Sequence, residues 1–278
     1  MQAYICKVFI DNNPYLFKVE GDFFYGKKKC LYNSETSIIK NAYWEKEGYV
    51  IQNLLTESQF SILRDSITST LIRIISDLGI NFNKDIFDIE DYHLFIISNE
   101  AHQSVVERTS KLVEDNFDFD FSILTNNLSQ IMDFRLTSLI KDINRSHIQL
   151  RINRPKSLDI NPPHRDGYID IFKDTLNVWV PIAGCNKDTS LPIIPLSHFI
   201  PENELLKTSI RGATINNKIY NVPCILESNK GNLKMIRPNP KYNEALLFTP
   251  FLIHGAAFNN SKKTRIALEL RFPKDTYI

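Results

Sequence analysis

The sequence of 278 residues lacks three features that would each indicate a special class of protein. Its four cysteines, Cys6, Cys30, Cys185 and Cys224, include no C-x-x-C pair and suggest a reducing compartment. It lacks an excess of one charge, with 33 basic and 32 acidic residues, and it lacks both a signal-peptide pattern and the ~18-residue apolar run that spans a bilayer. We therefore expect a cytoplasmic monomer or homodimer without nucleic-acid or membrane partners.

Secondary-structure signals divide the chain into three parts, which we predict to form a single domain over residues 1–278. Residues 1–40 predict a β-rich elaboration with a hairpin, because two apolar runs flank the turn-forming sequence DNNP. Residues 41–145 predict mostly helix, including one stretch from Leu124 to Leu139. Residues 146–278 contain short alternating runs bounded by turn residues, which is typical of a sandwich or barrel.

The clearest local signal is a long amphipathic helix in the second part. Thr56 and Gln59 have the spacing of a capping box, in which each side chain bonds to the backbone of the other residue. Apolar residues then recur at steps of three and four from Phe60 to Leu78, and Gly79 marks the end. This pattern predicts a helix with one buried face.

Ionisable side chains cluster in 161-NPPHRDGYID-170, directly after two prolines. His164 and Asp166 lie two residues apart, so an extended segment directs both side chains to one face. His254 ends another apolar stretch and is followed by Gly255, which lets the backbone turn away. Two histidines and one carboxylate form the facial arrangement suited to Fe(II), with positions left for a cosubstrate and oxygen. We therefore predict these three residues as metal ligands and catalytic centre.

A cation on the last predicted strand suits an acidic cosubstrate. Arg265 follows His254 by eleven residues and shares one strand face with Glu269 and Arg271. A guanidinium on a rigid strand binds a carboxylate in bidentate fashion. Arg271 is the rival for this role, but it lies six residues further along, about 20 Å by strand rise. The spacing therefore favours Arg265 as the cosubstrate ligand.

Together these residues resemble the phytanoyl-CoA dioxygenase (PhyH-like) branch of the Fe(II)/2-oxoglutarate-dependent oxygenases. The resemblance extends from about Tyr43 to Phe272 and rests on 47-EGYVIQNLLTESQFSILR-64, 164-HRD-166, 178-VWVPI-182, 191-LPIIPLSH-198, His254 and Arg265. It implies a mainly β fold with flanking α-helices, namely a double-stranded β-helix of the jelly-roll or cupin-like type. Many relatives have Ser or Thr two residues after the distal histidine, where this chain has Ala256.

The resemblance also implies an activity and its cofactors. His164, Asp166 and His254 would hold Fe(2+), and Arg265 would bind the distal carboxylate of 2-oxoglutarate, with O2 as cosubstrate. The reaction implied is hydroxylation, or another oxidation, of an unactivated C–H bond in a small molecule. The alternative is a non-catalytic or zinc-holding jelly-roll binding protein with a vestigial site.

Other residues have two interpretations each. Arg151, on the run 148-IQLRIN-153, is predicted either to contact cosubstrate or substrate or to form a structural ion pair. Tyr168 is predicted to line the pocket or to pack. The histidines without ligand spacing are predicted to be structural or surface residues: His93, His102, His147 and His198.

The segment from Pro201 to Asn243 lies between the motifs and is predicted to form a lid or a polar pocket wall. Its cations include Arg211, Lys218, Arg237 and Lys241. This polarity favours a small polar metabolite or natural-product intermediate as substrate.

Overall fold

The computed structural model of the protein describes residues 2–215 and 218–276. Its strands are β1 (Gln2–Ile10), β2 (Asn13–Gly21), β3 (Phe23–Tyr25), β4 (Tyr49–Asn53), β5 (Leu139–Ile140), β6 (Arg145–Asn153), β7 (Thr175–Ala183), β8 (Ile193–Ile194), β9 (Leu205–Thr208), β10 (Ala213–Ile215), β11 (Lys218–Tyr220), β12 (Ile225–Ser228), β13 (Gly231–Met235), β14 (Glu244–Phe248), β15 (Ile253–His254) and β16 (Arg265–Pro273). Its α-helices are α1 (Glu57–Asp77), α2 (Tyr92–Phe95), α3 (Asn99–Thr109) and α4 (Ser122–Met132).

Two large sheets and one short strand pair build the fold. The eight-stranded sheet has the order β11-β10-β2-β1-β13-β12-β9-β3, and the six-stranded sheet has the order β4-β14-β7-β16-β6-β5. The pair of β15 and β8 carries His254. This mainly β architecture with flanking helices is the predicted jelly roll. Among the described residues, no helix is long and apolar enough to cross a membrane.

The three strands β14, β7 and β16 of the six-stranded sheet are buried on both faces, and β16 shows why. Ile266, Leu268 and Leu270 alternate toward the main hydrophobic core, which includes the buried faces of α1, α3 and α4. Each such side chain contributes about 1.5–3 kcal/mol when fully buried. Ala267 packs in a different core cluster, and Arg265 and Glu269 line a cavity, so the alternate residues lie on the opposite face, as predicted.

The long helix begins and ends as predicted. The Thr56 hydroxyl accepts a hydrogen bond from the Gln59 backbone at 3.2 Å, and the Gln59 side chain accepts one from the Thr56 backbone at 2.9 Å. Both bonds satisfy N–H groups that have no partner within the helix. At the other end Gly79 has a φ of +69°, which glycine adopts without steric cost.

The helical stretch predicted from Leu124 to Leu139 is wrong in its second half. Helix α4 ends at Met132, because Asp133 takes the left-handed conformation with a φ of +58°. Leu136 then pairs with Lys274 in an isolated β-bridge. Apolar spacing alone does not distinguish this buried loop from another helical turn.

The N-terminal hairpin is confirmed and occupies the middle of the eight-stranded sheet. Asp11 and Asn12 form its two-residue turn with φ values of +48° and +68°, which these residue types tolerate. β1 pairs in parallel with β13, and β2 pairs with β10. Its buried face contributes Cys6, Val8 and Ile10 to the core of that sheet.

The segment from Pro201 to Asn243 forms five strands rather than a lid, and its Lys218 and Tyr220 line the cavity described below. It supplies β9 to β13, all of which belong to the eight-stranded sheet. The strands from β9 to β12 are only three or four residues long, which is too short to show the alternation that marks longer strands.

Candidate metal centre

The two predicted histidine ligands meet through their backbones. His164 and His254 form an isolated antiparallel bridge, in which each N–H donates to the carbonyl of the other at 2.9 and 3.1 Å. Their ring centroids lie 4.4 Å apart, and both residues are buried. Gly255 has a φ of +125°, and a Cβ there would lie 2.4 Å from the Pro162 carbonyl oxygen. The close approach of the two ligand segments therefore requires glycine after His254.

Both imidazoles are oriented by the main chain. His164 Nδ1 lies 2.7 Å from the Pro162 carbonyl oxygen, and His254 Nδ1 lies 3.0 Å from that of Leu252. An Nδ1–H that donates to a carbonyl fixes the tautomer and leaves the Nε2 lone pair free for a metal. The three predicted ligand side chains offer donor atoms that lie within 4.8 Å of one another. The fold thus brings them together around one point.

Asp166 is a buried carboxylate supported by donors. Its Oδ1 lies 3.4 Å from His164 Nε2, and its Oδ2 lies 3.6 Å from His254 Nε2. Asn177 Nδ2 donates to Oδ2 at 2.6 Å, and an Arg271 terminal nitrogen donates to it at 2.5 Å. Burial alone raises the pKa of Asp166, but Arg271 and the two imidazoles outweigh it and hold the pKa well below its usual value.

The ionisation of His254 also suits metal binding. Burial, followed by the neighbouring His164, lowers the pKa of His254 to about 4. The imidazole is therefore neutral at pH 7, with a lone pair available. Two imidazole nitrogens and one carboxylate oxygen are the donor set of a non-haem Fe(II) site.

Arg265 lines the same cavity as the two histidines, but no acid pairs with it. The cavity has a volume of about 380 Å³. The Arg265 guanidinium is 4% exposed, its contact with the Thr189 carbonyl is long at 3.5 Å, and its Nε has no partner. Among the described residues no carboxylate lies within ion-pair distance of it. Burial lowers the pKa of Arg265 to about 10, so the guanidinium remains charged at neutral pH.

Arg271 lies beside the candidate metal centre, so the prediction that it is too distant is wrong. The segment that carries His164 and Asp166, called the ligand segment below, lies beside the C-terminal end of β16, where Arg271 is in register with Asn177. Its guanidinium is already bonded to Asp166 and packs over the Phe172 ring at 4.5 Å. Arg271 therefore cannot also serve as the free diacid ligand.

Arg151 lines the cavity and also forms an ion pair. Its Nε donates to Glu269 Oε2 at 2.7 Å, with the two side chains 23% and 15% exposed. Both residues face the cavity. The structural interpretation of Arg151 is thus realised, and a contact with substrate stays a prediction. Glu269 carried no sequence signal beyond its place on the strand face.

Tyr168 and Arg165, from the same segment as the first two ligands, both contact Glu202 and not the cavity. Tyr168 does not line the cavity; its hydroxyl donates to Glu202 at 3.1 Å and its ring packs in the core of the eight-stranded sheet. Arg165, between the two ligands, is fully buried and forms an ion pair with Glu202. It also donates to the Ile200 carbonyl at 3.0 Å. This network anchors the back of the ligand segment.

His102 is a cavity residue that the sequence did not reveal. It lies on α3, where its Nε2 is 3.3 Å from Asp159 Oδ2 and its Nδ1 is 3.1 Å from the Tyr92 hydroxyl. Both His102 and Asp159 line the cavity. The helix is far from the metal motifs along the chain, and no spacing rule connects them. Of the seven cations in the segment from Pro201 to Asn243, all of them described residues, only Lys218 lines this cavity.

No protein-family model matches the chain, and no curated protein sequence matches it. The phytanoyl-CoA dioxygenase branch therefore stays a prediction.

Solved structures share the fold at low sequence identity. The chain is similar to EvdMO1 with a TM-score of 0.50 at 14% identity, over 84% of this chain and 49% of that one, so it spans about half of EvdMO1. EctD from S. alaskensis, crystallised with 2-oxoglutarate and 5-hydroxyectoine, has a TM-score of 0.47 at 12% identity. The match covers 92% of this chain and 84% of EctD. The epimerase SnoN, in complex with Fe3+, alpha ketoglutarate and nogalamycin RO, has a TM-score of 0.46 at 10% identity. The match covers 84% of this chain and 82% of SnoN. At these identities the similarity concerns the fold alone.

Proposed function

We propose that the protein is an Fe(II)- and 2-oxoglutarate-dependent dioxygenase that hydroxylates or otherwise oxidises an unactivated C–H bond of a small polar metabolite. The observation that carries this proposal is the buried, unpaired guanidinium of Arg265, which lines the same cavity as His164 and His254. A three-ligand centre alone would also suit zinc. A buried cation without an acid, however, needs an anionic ligand beside the metal. A dicarboxylate cosubstrate meets that need.

The side chains have separate roles in this proposal. His164, Asp166 and His254 would hold iron through two imidazole nitrogens and one carboxylate oxygen, a donor set that leaves room for further ligands. Arg265 binds the distal carboxylate of 2-oxoglutarate and so fixes its keto-acid end toward the iron. Iron, when bound, supplies the oxidation of substrate by O2, with conversion of 2-oxoglutarate to succinate and carbon dioxide. The protein contributes orientation and exclusion of water.

The outer part of the cavity supports a polar substrate. Its wall includes Gln103, Gln149, Lys218 and Tyr220. The side-chain amides of Gln103 and Gln149 bond to no other described residue, so both are available to a ligand. A volume of about 380 Å³ falls within the range of small-molecule sites. A hydroxylated or amide-bearing metabolite fits these groups better than a fatty acyl chain.

The test is iron- and oxygen-dependent conversion of 2-oxoglutarate to succinate. The wild-type protein, reconstituted with Fe(II), should form succinate, and omission of either iron or O2 should abolish the product. His164→Ala and Asp166→Ala should lose turnover by at least about 100-fold, since even the partners of metal ligands contribute 10–100-fold.

A matched control uses a histidine outside the centre. His198 is buried and its Nε2 contacts the Glu45 carbonyl at 3.0 Å, far along the chain from the ligands. His198→Gln should retain turnover. Full succinate formation in both ligand variants would refute the proposal, as would tight zinc binding without any binding of 2-oxoglutarate.

A further inference from the structure

The protein holds the Asp166 carboxylate asymmetrically. Its Oδ2 accepts two hydrogen bonds, from Asn177 at 2.6 Å and from Arg271 at 2.5 Å. Its Oδ1 accepts neither of these bonds; each oxygen also lies near one imidazole nitrogen, Oδ1 at 3.4 Å from His164 Nε2 and Oδ2 at 3.6 Å from His254 Nε2. Each carboxylate oxygen offers about two lone-pair sites. The two donors therefore saturate Oδ2, and Oδ1 stays free to ligate a metal.

Both donors are fixed by the sheet rather than by loops. Arg271 lies on β16 and Asn177 lies on β7, and the two residues are direct partners in the register of these strands. They are 5% and 2% exposed. The Phe172 ring lies 4.5 Å from the guanidinium carbon and fills the space behind it. Donors on packed strands hold their geometry more accurately than donors on loops.

We propose that Arg271 and Asn177 are positioning residues that restrict Asp166 to ligation through Oδ1 alone. The inference rests on the function proposed above, because the restriction matters only at a centre that must bind two further ligands. One carboxylate oxygen and two imidazoles would hold the metal and would leave room beside it for the keto-acid end of 2-oxoglutarate and for O2. A second bond from Asp166 would take part of that room.

The experiment measures Co2+ binding to metal-free protein under anaerobic conditions, which requires no turnover. Arg271→Met and Asn177→Leu each remove one donor to Oδ2 at nearly constant volume. Each should weaken Co2+ affinity about 10–100-fold. Each should also change the visible absorption of bound Co2+, because a two-oxygen contact from Asp166 alters the coordination number. Arg271→Lys, which keeps a cation, should restore part of the affinity.

Arg237→Met is the matched control, since Arg237 is also a buried arginine. Its guanidinium donates to the carbonyls of Ser190 and Phe258, both at 2.6 Å, and does not contact a ligand. This variant should keep the Co2+ affinity and spectrum of the wild type. If Arg271→Met does not fold, Asn177→Leu decides, because it removes only a neutral donor.

The outcomes separate this inference from the proposed function. Folded Arg271→Met and Asn177→Leu with wild-type Co2+ affinity and spectrum would overturn the inference and leave the proposed function standing. Wild-type protein that binds Co2+ but not 2-oxoglutarate would overturn the proposed function, and with it the reason for a restricted ligand. Wild-type protein that does not bind Co2+ would overturn both.

Discussion

The two ends of β16 carry buried arginines with opposite surroundings. Arg271 donates to the Asp166 carboxylate and packs on an aromatic ring, so its charge is compensated within the protein. Arg265, six residues earlier on the same face, has no carboxylate partner among the described residues, and its contact with the Thr189 carbonyl is long at 3.5 Å. Taking a charge out of water without a partner costs several kcal/mol. The charge of Arg271 is thus paired within the protein, whereas we expect the charge of Arg265 to be paired by a bound acidic ligand.

The largest expected effect is on stability, and it has opposite signs at the two ends. Arg271→Met leaves the Asp166 carboxylate buried without its cation, which should lower the free energy of unfolding by about 3–5 kcal/mol. Arg265→Met removes an unpaired buried charge and should leave that free energy unchanged or raise it. Urea denaturation of both variants, without metal or 2-oxoglutarate, measures the difference. Equal losses in the two variants would break the comparison.

The second effect concerns affinity for 2-oxoglutarate. Arg265→Met should weaken binding of 2-oxoglutarate to the Co2+-loaded protein by about 10- to 150-fold, the equivalent of one or more charge-assisted bonds of about 1.5–3 kcal/mol. The affinity of Arg265→Lys for 2-oxoglutarate should lie between those of the wild type and Arg265→Met, because an ammonium makes no bidentate contact. Isothermal titration at neutral pH measures each affinity.

A pH series sharpens the same assignment. The pKa of Arg265 is lowered to about 10, mainly by burial, so the cation is present at pH 7 and is lost as the pH rises through that value. Affinity for 2-oxoglutarate should therefore be flat near neutrality and fall as the pH approaches 10. The affinity of Arg265→Met should show no such fall. A wild-type affinity that stays constant through pH 10 would contradict the role of this guanidinium.

Sequence periodicity predicted the faces of β16 but not the partners of its residues. Alternation placed Arg265 and Arg271 on one side, and this is confirmed. The partner of Arg271, however, lies 105 positions away, and no local pattern encodes that contact. The rise per residue along the strand gave the distance between the two arginines, but it did not show where the segment with His164 and Asp166 packs against the sheet. The sequence could therefore name two candidates and misjudge the surroundings of one.

A similar division applies to the rest of the molecule. The capping box at Thr56 and the N-terminal hairpin depend on neighbouring residues, so both could be predicted. The short strands from β9 to β12 depend on pairing with distant chain, and they were missed. His102 reaches the cavity only because α3 packs beside β6. Local chemistry was thus available from the sequence, whereas the outer wall of the cavity required the fold.

The smallest expected effect belongs to Arg151, which is intermediate between the two ends of β16. It faces the cavity as Arg265 does, yet it has an acid partner as Arg271 does, namely Glu269 at 2.7 Å. Because both side chains are partly exposed, water replaces part of the lost contact, and Arg151→Gln should lower the free energy of unfolding by only about 1 kcal/mol. Affinity for 2-oxoglutarate should change less than about threefold, which is within 1 kcal/mol. A loss as large as that of Arg265→Met, measured by the same titration, would assign the cosubstrate to Arg151 as well and would remove the special status of the unpaired arginine.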